Sequence, residues 1–146
     1  MSQSLRNPLA LLALLVAAAP ALAGGGVVWT DLGGGLPGST TPQLTLSGDF
    51  TEEAPALADV TGGPGAGRAF LFMGSSNAST PFLGGVLVPS TDLLGPFAIP
   101  TVGGAVQVAI TAVGFPPGFE VYLQVWMYDP GGVQGASATN AWQGVL

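Results

Sequence analysis

The amino-acid sequence predicts an all-β protein, an antiparallel β-sandwich of about seven to nine short strands after an N-terminal signal-peptide helix. Short segments in which apolar and polar residues alternate have the period of two that β-strands show. The 24 glycines and 13 prolines separate these segments at positions typical of turns. No segment beyond the N-terminus has the period of an amphipathic helix. A closed β-barrel is the alternative, because the pattern is compatible with both architectures.

Residues 1–23 have the three parts of a secretory signal peptide. Arg6 supplies the positive charge, residues 9–19 form the apolar core, and residues 21–23 (Ala-Leu-Ala) form a small-x-small cleavage site. An uncleaved anchor helix is the alternative. No Cys follows the apolar core, which excludes lipid attachment. We therefore expect residues 24–146 to be one exported domain, located outside the cell or in the periplasm or cell envelope.

The composition limits how this domain can be stabilised. Hydrophobic residues make up 48% of the 146 residues and charged residues 7%, far below the usual share of about 25%. After the N-terminal segment, Gly and Pro interrupt every apolar run before it reaches the ~20 residues of a membrane-spanning helix. The chain has no Cys, so an apolar core must provide the stability that disulfides give many exported proteins.

The charge balance excludes two classes of partner. Once the signal peptide is removed, Arg68 is the single basic residue against eight carboxylates. Binding to nucleic acid requires several basic groups that displace phosphate counterions. Attraction to anionic membrane surfaces has the same requirement. We expect the acidity to serve solubility instead.

The first half of the exported part contains four strand candidates. Residues 27–29 are a short apolar run before a glycine-rich loop, and residues 42–50 alternate clearly. Residues 52–60 are interpreted as a strand, with a helical turn as the alternative. Residues 68–74 carry large apolar side chains on both faces, which is typical of a strand covered on both sides.

The second half is organised around residues 105–113 and 120–128, which are predicted to pair as a hairpin through the loop at 114–119. The other segments are interpreted in order as a polar loop at 75–81, a strand at 84–89, a kinked strand or packed loop at 92–100 and a last strand at 136–145.

The longest alternating segment, residues 120–129, predicts the central strand of the fold. Pro and Gly residues precede and follow it. Because successive side chains of a strand point to opposite faces, this strand has one aliphatic and one largely aromatic face. The aliphatic face consists of Val121, Leu123, Val125 and Met127, and the other face of Tyr122, Gln124, Trp126 and Tyr128.

Five motifs follow one another along the chain: Trp29-x-Asp31-Leu32-Gly33, Pro81-Phe82-x-Gly84-Gly85-x-Leu87-Val88-Pro89, Tyr122-Leu123-Gln124-Val125-Trp126, Asp129-Pro130-Gly131 and Gly135-x-Ser137-x-x-Asn140-Ala141. In this order they resemble an uncharacterised all-β module that recurs in secreted proteins of environmental bacteria. The resemblance covers nearly the whole of residues 24–146 and implies a small secreted β domain. It implies no catalytic or binding residue. Thr139 stands where that module more often has Ser.

Missing residue types argue against an enzyme. The chain has no His, no Cys and no Lys, which excludes Ser-His-Asp hydrolysis, thiol catalysis and Schiff-base chemistry. Paired carboxylates remain, as a glycosidase would need them. Glu52 and Glu53 are adjacent and would point to opposite faces of a strand, while Glu120 and Asp129 lie at opposite ends of one. A hydrolase that uses carboxylates is therefore the least favoured function.

A calcium ion is the one metal that the sequence suggests. Asp side chains and backbone carbonyls in glycine-rich loops provide the oxygen ligands that Ca²⁺ prefers. Asp31 and Asp129 are the candidate ligands, although no acidic repeat of known calcium loops occurs. A β-turn is the favoured explanation of Asp129-Pro130-Gly131, since each of its residues has a backbone reason to be there, so no cofactor is assigned.

The aromatic face of the central strand is the candidate binding surface. If exposed, Tyr122 and Trp126, with or without Tyr128, would form a platform for sugar rings, and Gln124 would supply hydrogen bonds. If buried, the same side chains belong to the core, which is the favoured interpretation because exposed apolar patches of this size are unusual.

The sequence therefore predicts a non-catalytic secreted structural or interaction module of unknown ligand. A carbohydrate-binding β-sandwich that uses the aromatic face is the alternative. A protein or glycan partner fits either function, and self-association along sheet edges is expected because few charges protect them.

Overall fold

The computed structural model describes residues 11–17, 26–65 and 67–146, and these ranges contain strands but no helix. The strands are β1 (Leu11–Ala17), β2 (Val28–Gly33), β3 (Gln43–Ser47), β4 (Ala56–Thr61), β5 (Arg68–Gly74), β6 (Asn77–Phe82), β7 (Gly85–Pro89), β8 (Leu94–Pro100), β9 (Val106–Val113), β10 (Glu120–Tyr128), β11 (Ala136–Ala138) and β12 (Ala141–Val145). None of the described residues belongs to a helix long and apolar enough to cross a bilayer.

Two main sheets and one hairpin make up the fold. The first sheet has the order β1-β9-β4-β3, and the second has the order β2-β12-β10-β5-β8, with β11 also paired to β10. Strands β6 and β7 form a separate two-stranded sheet. All pairings are antiparallel except that of β1 with β9. Neither main sheet closes on itself, so the predicted β-sandwich is confirmed over the barrel alternative.

The main core lies between the two sheets. The alternation in β3, β4 and β9 places one apolar face of the first sheet inward, while β5, β8 and β10 supply the opposing face. Its largest fully buried side chains are Phe50, Leu44, Leu71, Met73, Ile99, Ile110, Leu123 and Met127. Phe50 also contacts the ring of Trp29, with ring centroids 5.3 Å apart.

A second, smaller core lies on the outer face of the second sheet. Phe72 and Trp126 point outward from β5 and β10 and pack against Leu87 of the hairpin β6–β7 and against Ala136 and Ala138. The hairpin therefore acts as a third layer over the sheet. As a result, β10 is buried along both faces from Val121 to Met127, and only its two ends are exposed.

The prediction of a central strand at residues 120–128 is confirmed. Strand β10 has these bounds and pairs with β5 on one side and with β11 and β12 on the other. Strand β5 also has its predicted bounds, and it is buried over most of its length, as expected for a strand covered on both faces. Segment 52–60 forms a strand only from Ala56 onward.

The predicted hairpin between residues 105–113 and 120–128 is wrong. Strand β9 pairs with β4 in the first sheet, and β10 lies in the second sheet. Pro116 and Pro117 lack the N–H groups that a strand ladder needs, and the chain crosses between the sheets there. The stacked rings of Phe115 and Phe119, with centroids 4.5 Å apart, accompany this crossover. Two strands with matching apolar faces can meet across a core as well as side by side.

One loop and one strand interpretation also change. The segment 75–81 is predicted as a polar loop, but from Asn77 onward it belongs to β6, whose exposed side chains face solvent because the hairpin lies outermost. The predicted last strand is divided into β11 and β12 at Thr139 and Asn140. Both side chains at this break are buried and hydrogen-bonded to backbone groups, which compensates for the interrupted ladder.

Residues 11–17 form strand β1 and not the predicted signal-peptide helix. Strand β1 pairs with β9 over seven positions, from Leu11 opposite Gln107 to Ala17 opposite Val113. Without β1, strand β9 would present unpaired backbone groups at the sheet edge, and an extended apolar segment satisfies them. Residues 1–10 and 18–23 of the proposed signal peptide lie outside the described residues, so export stays a prediction.

Candidate functional site

The amide of Gln124 lies at the centre of the outer core, fully buried in β10. Its Oε1 accepts hydrogen bonds from the backbone N–H of Val88 at 3.0 Å and from Nε1 of Trp126 at 3.1 Å. Its Nε2 donates to the carbonyls of Thr139 at 3.0 Å and Gly34 at 3.4 Å. One side chain thus fixes the hairpin, the break before β12 and the glycine-rich loop to the central strand.

Asn140 connects the second sheet to the first. Its Oδ1 accepts from the backbone N–H of Leu44 at 2.8 Å, and its Nδ2 donates to the Leu44 carbonyl at 3.0 Å. The same Nδ2 donates to Oδ2 of Asp31 at 2.9 Å. Trp142 adds a bond from its Nε1 to the Leu44 carbonyl at 2.6 Å. These contacts hold β3 and β12 together across one end of the sandwich.

The two candidate calcium ligands, Asp31 and Asp129, occupy separate hydrogen-bond networks. Asp31 accepts from Asn140 and, at 2.8 Å, from the backbone N–H of Gly33. Asp129 is fully buried and accepts from Ser39 N at 2.9 Å, Ser39 Oγ at 2.7 Å and Gly131 N at 2.9 Å. The described residues contain no group of three or more His, Cys, Asp or Glu side chains that could hold a metal ion. Both carboxylates contribute to turn structure, and calcium binding stays a prediction.

Opposing effects act on the pKa of Asp129. Burial raises the pKa of this carboxyl, whereas the hydrogen bonds from Ser39 and Gly131 lower it, and the net pKa is below the ordinary value. The exposed Asp92 has its pKa lowered to about 2, chiefly because the hydroxyls of Ser75 and Ser90 donate to its carboxylate. Neither arrangement pairs two carboxylates, as general acid–base catalysis of glycosidic bonds would require.

The predicted binding residues Tyr122, Gln124 and Trp126 are all buried. They correspond to the core interpretation rather than to an exposed platform. Burial raises the pKa of Tyr122, whose hydroxyl donates to Oε2 of Glu120 at 2.9 Å and accepts from Nε2 of Gln143 at 3.0 Å. Tyr128, on the same face of β10, is 58% exposed and is the aromatic residue of this strand that reaches solvent.

An apolar groove opens beside Tyr128 between the hairpin and the second sheet. Its cavity volume is about 290 Å³, and apolar atoms make up almost all of its surface. Trp126 and Phe82 meet edge to face in its wall, with centroids 4.9 Å apart, and Phe82 meets Phe72 at 6.0 Å. The lining residues are Phe70, Phe72, Phe82, Leu83, Pro96, Trp126, Met127, Tyr128, Gly135 and Ala136.

Sequence reasoning found Trp126 and Tyr128 but missed the rest of the groove. Phe82 and Leu83 follow the predicted polar loop at 75–81, and Pro96 lies in the segment 92–100, for which a kinked strand and a packed loop are both predicted. The sequence signal that could have identified Phe82 and Leu83 is their position as an apolar pair directly before Gly84-Gly85. Leu83 has a positive φ of 44° and 40% exposure, so this turn presents a large apolar side chain to solvent.

The fold and groove define an all-β protein of the sandwich class with a buried polar network and one described apolar concavity. Comparisons with protein-family models, curated proteins and solved structures gave no match. The resemblance of the five motifs to a secreted module therefore stays a prediction. Several of its polar residues, namely Asp31, Gln124, Asp129 and Asn140, hydrogen-bond to backbone groups within the fold.

Proposed function

We propose that the chain is an exported, non-catalytic interaction module that receives an apolar side chain of a protein partner in the groove beside Tyr128. The observation that carries this proposal is the composition of the groove, whose walls are aromatic and aliphatic with almost no polar surface. Desolvation of an apolar group in such a site is favourable, whereas a sugar hydroxyl there would lose hydrogen bonds to water without replacement.

The size of the groove supports a single inserted group. At about 290 Å³ it lies at the lower limit of pockets that hold whole small molecules, roughly 300 to 1,000 Å³. An aromatic or branched aliphatic side chain fits this space. Apolar anchors of this kind in fully desolvated pockets supply much of the affinity of protein interfaces. Exposed Leu83 and Tyr128 lie at its rim, where the body of the partner would continue.

The state of the polar side chains supports a non-catalytic role. Gln124, Asn140 and Asp129 are buried and engaged with backbone groups of the fold. The chain also lacks His, Cys and Lys. The general acid or base of any catalytic pair would therefore have to be a carboxylate or a tyrosine.

Carbohydrate binding is the second candidate, and the exposed ring of Tyr128 favours it. A ring at the rim of a concavity can stack on a sugar face, and its hydroxyl can hydrogen-bond. In this form the binding surface is Tyr128 with the groove edge, not the buried pair Tyr122 and Trp126 of the sequence-based hypothesis.

One titration experiment tests both candidates. The isotope-labelled exported chain is titrated with N-acetyl-phenylalaninamide, N-acetyl-leucinamide and cellohexaose while backbone amide chemical shifts are recorded. The proposal expects the apolar amides to shift the resonances of Phe82, Gly135 and Ala136. Leu83→Asn should weaken that binding about fivefold, the effect of losing roughly 1 kcal/mol of apolar contact. Asn tolerates the positive φ at this position, so the turn is kept.

Val102→Asn is the matched control, because Val102 is 56% exposed and does not line the groove. It should leave the titration unchanged. Shifts caused by cellohexaose and centred on Tyr128 would favour the carbohydrate candidate instead. If neither apolar amide nor sugar shifts a groove resonance, the groove is not a binding site.

A further inference from the structure

Among the residues that the structure describes, only those of β1 cover the outer edge of strand β9. The parallel pairing runs over seven positions, and on its other side β9 is joined to β4 from Val106 opposite Val60 to Ile110 opposite Ala56. Strand β1 lies within residues 9–19, the apolar core of the predicted signal peptide, and upstream of the predicted cleavage site at residues 21–23. Cleavage there would remove β1 and make β9 the edge strand of the first sheet.

The exposed β9 would be the least protected edge of the sandwich. Its eight residues, Val-Gln-Val-Ala-Ile-Thr-Ala-Val, include no charged residue, Pro or Gly. The edge strands of the second sheet contain residues that discourage further pairing, Pro96 in β8 and the charged Asp31 in β2. The opposite edge of the first sheet, β3, has only five residues. Proteins normally protect long apolar edges with charges, Pro or a covering element, because such edges add strands.

The burial pattern of β9 fixes how an added strand would lie. Val106, Val108 and Ile110 are buried in the main core, while Gln107, Ala109 and Thr111 face the outer surface of the sheet. A one-residue slip would turn the buried set outward, so the position of β9 in its sheet is strongly determined. The backbone groups at its free edge are therefore held in place for pairing.

We propose that removal of the leader opens the β9 edge and that β9 of a second copy of the chain then occupies it. The strand that covers the edge before cleavage is an uncharged segment of Leu, Ala and Val, and β9 has the same character. Antiparallel pairing of two β9 strands gives a two-fold symmetric contact that closes after two copies. The three remaining strands of each first sheet then form one continuous sheet, in the order β3-β4-β9-β9-β4-β3.

The test uses the full chain exported from a host and purified from the export compartment, with intact mass measured to establish whether the leader is gone. Size-exclusion light scattering over a concentration series should show a dimer for the cleaved chain. A monomer at every concentration would overturn the proposal. Chain that retains its leader should be monomeric under the same conditions, and a leader-bearing dimer would also overturn it.

The variant Ala109→Lys places a charge at the outer position nearest the centre of β9 without touching the buried face. Facing lysines across the two-fold axis should weaken dimerisation about tenfold. The matched control is Thr45→Lys, an exposed outer position on the opposite edge strand β3, with Asp59 directly across from it. Equal weakening by both variants would show that the contact does not use β9. Circular dichroism of both variants verifies that the β fold is kept.

Discussion

Replacing Gln124 by leucine will lower the free energy of unfolding by about 3 to 5 kcal/mol. The variant keeps the approximate volume of the side chain but removes all four of its hydrogen bonds. Four groups lose their hydrogen-bond partner: the backbone N–H of Val88, the indole N–H of Trp126 and the carbonyls of Thr139 and Gly34. Each buried group left without a partner costs about 1 to 3 kcal/mol. The total is smaller than the sum of four such costs, because the surrounding structure relaxes or water enters to bond some of these groups.

Urea unfolding followed by tryptophan fluorescence measures this loss, with Gln143→Leu as the control. Gln143 is half-buried, and its side chain donates one bond, to the Tyr122 hydroxyl, which keeps Glu120 as a partner. The control should change the unfolding free energy by less than about 1 kcal/mol. Amide exchange at Val88 should become faster in Gln124→Leu, because its N–H loses the acceptor that ties the hairpin to β10. Unchanged stability in this variant would show that the amide does not connect the layers.

The sequence predicts the central strand well because two independent signals agree there. Period-two alternation defines the two faces of β10, and proline and glycine on either side define its ends. Burial of both faces also follows, because neither face is charged between Val121 and Met127. Local patterns of this kind need no knowledge of the partner strands.

Pairing is where sequence reasoning failed. Residues 105–113 and 120–128 are close in sequence, and proximity favours a hairpin, yet the strands face each other from different sheets. An apolar face indicates that a strand borders the core, but it does not indicate which of the two sheets the strand belongs to. Only Pro116-Pro117 hinted at the crossover, because two consecutive residues without N–H groups cannot extend a ladder.

The sequence predicts only part of the candidate site, for a related reason. The platform hypothesis gives Gln124 the hydrogen bonds to a ligand, but three of its four partners are backbone groups 15 to 90 residues away in sequence, and the fourth is the indole N–H of Trp126. Polar residues in strands show which chemistry is present, not what they bond. The groove depends on β6 and β7 lying over β10, a tertiary contact that no local pattern contains.

Replacing Asp129 by asparagine will destabilise the protein by about 2 to 4 kcal/mol at neutral pH. The ionised carboxylate accepts three hydrogen bonds, from Ser39 N, Ser39 Oγ and Gly131 N. An asparagine has one acceptor oxygen and one NH₂ group, so at least one backbone N–H would face another donor. Hydrogen bonds to buried charged groups contribute about 1.5 to 3 kcal/mol each, and an orphaned donor costs a similar amount. Urea unfolding of both proteins at neutral pH measures the difference.

The same variant should remove part of the pH dependence of stability. The pKa of Asp129 is lower in the folded state than the ordinary value of about 3.9 expected when unfolded. The unfolded chain therefore binds this proton first as the pH falls. The contribution of Asp129 is complete above about pH 4 and is lost as the pH drops through the folded-state pKa. The stability gap between the wild type and Asp129→Asn should narrow over that acidic range.

Unfolding curves at several pH values between neutral and about pH 2 test this linkage. Asp59→Asn is the control, since Asp59 is half-buried on β4 and its backbone carbonyl, not its carboxylate, accepts the bond from Thr45. At neutral pH this control should change the free energy of unfolding by less than about 1 kcal/mol, because the variant keeps the backbone carbonyl to which Thr45 donates. The difference in unfolding free energy between wild type and Asp129→Asn could instead stay constant down to the lowest pH. Folding would then not favour the charged form of this carboxylate. The turn at Asp129-Pro130-Gly131 would then owe its stability to backbone geometry alone.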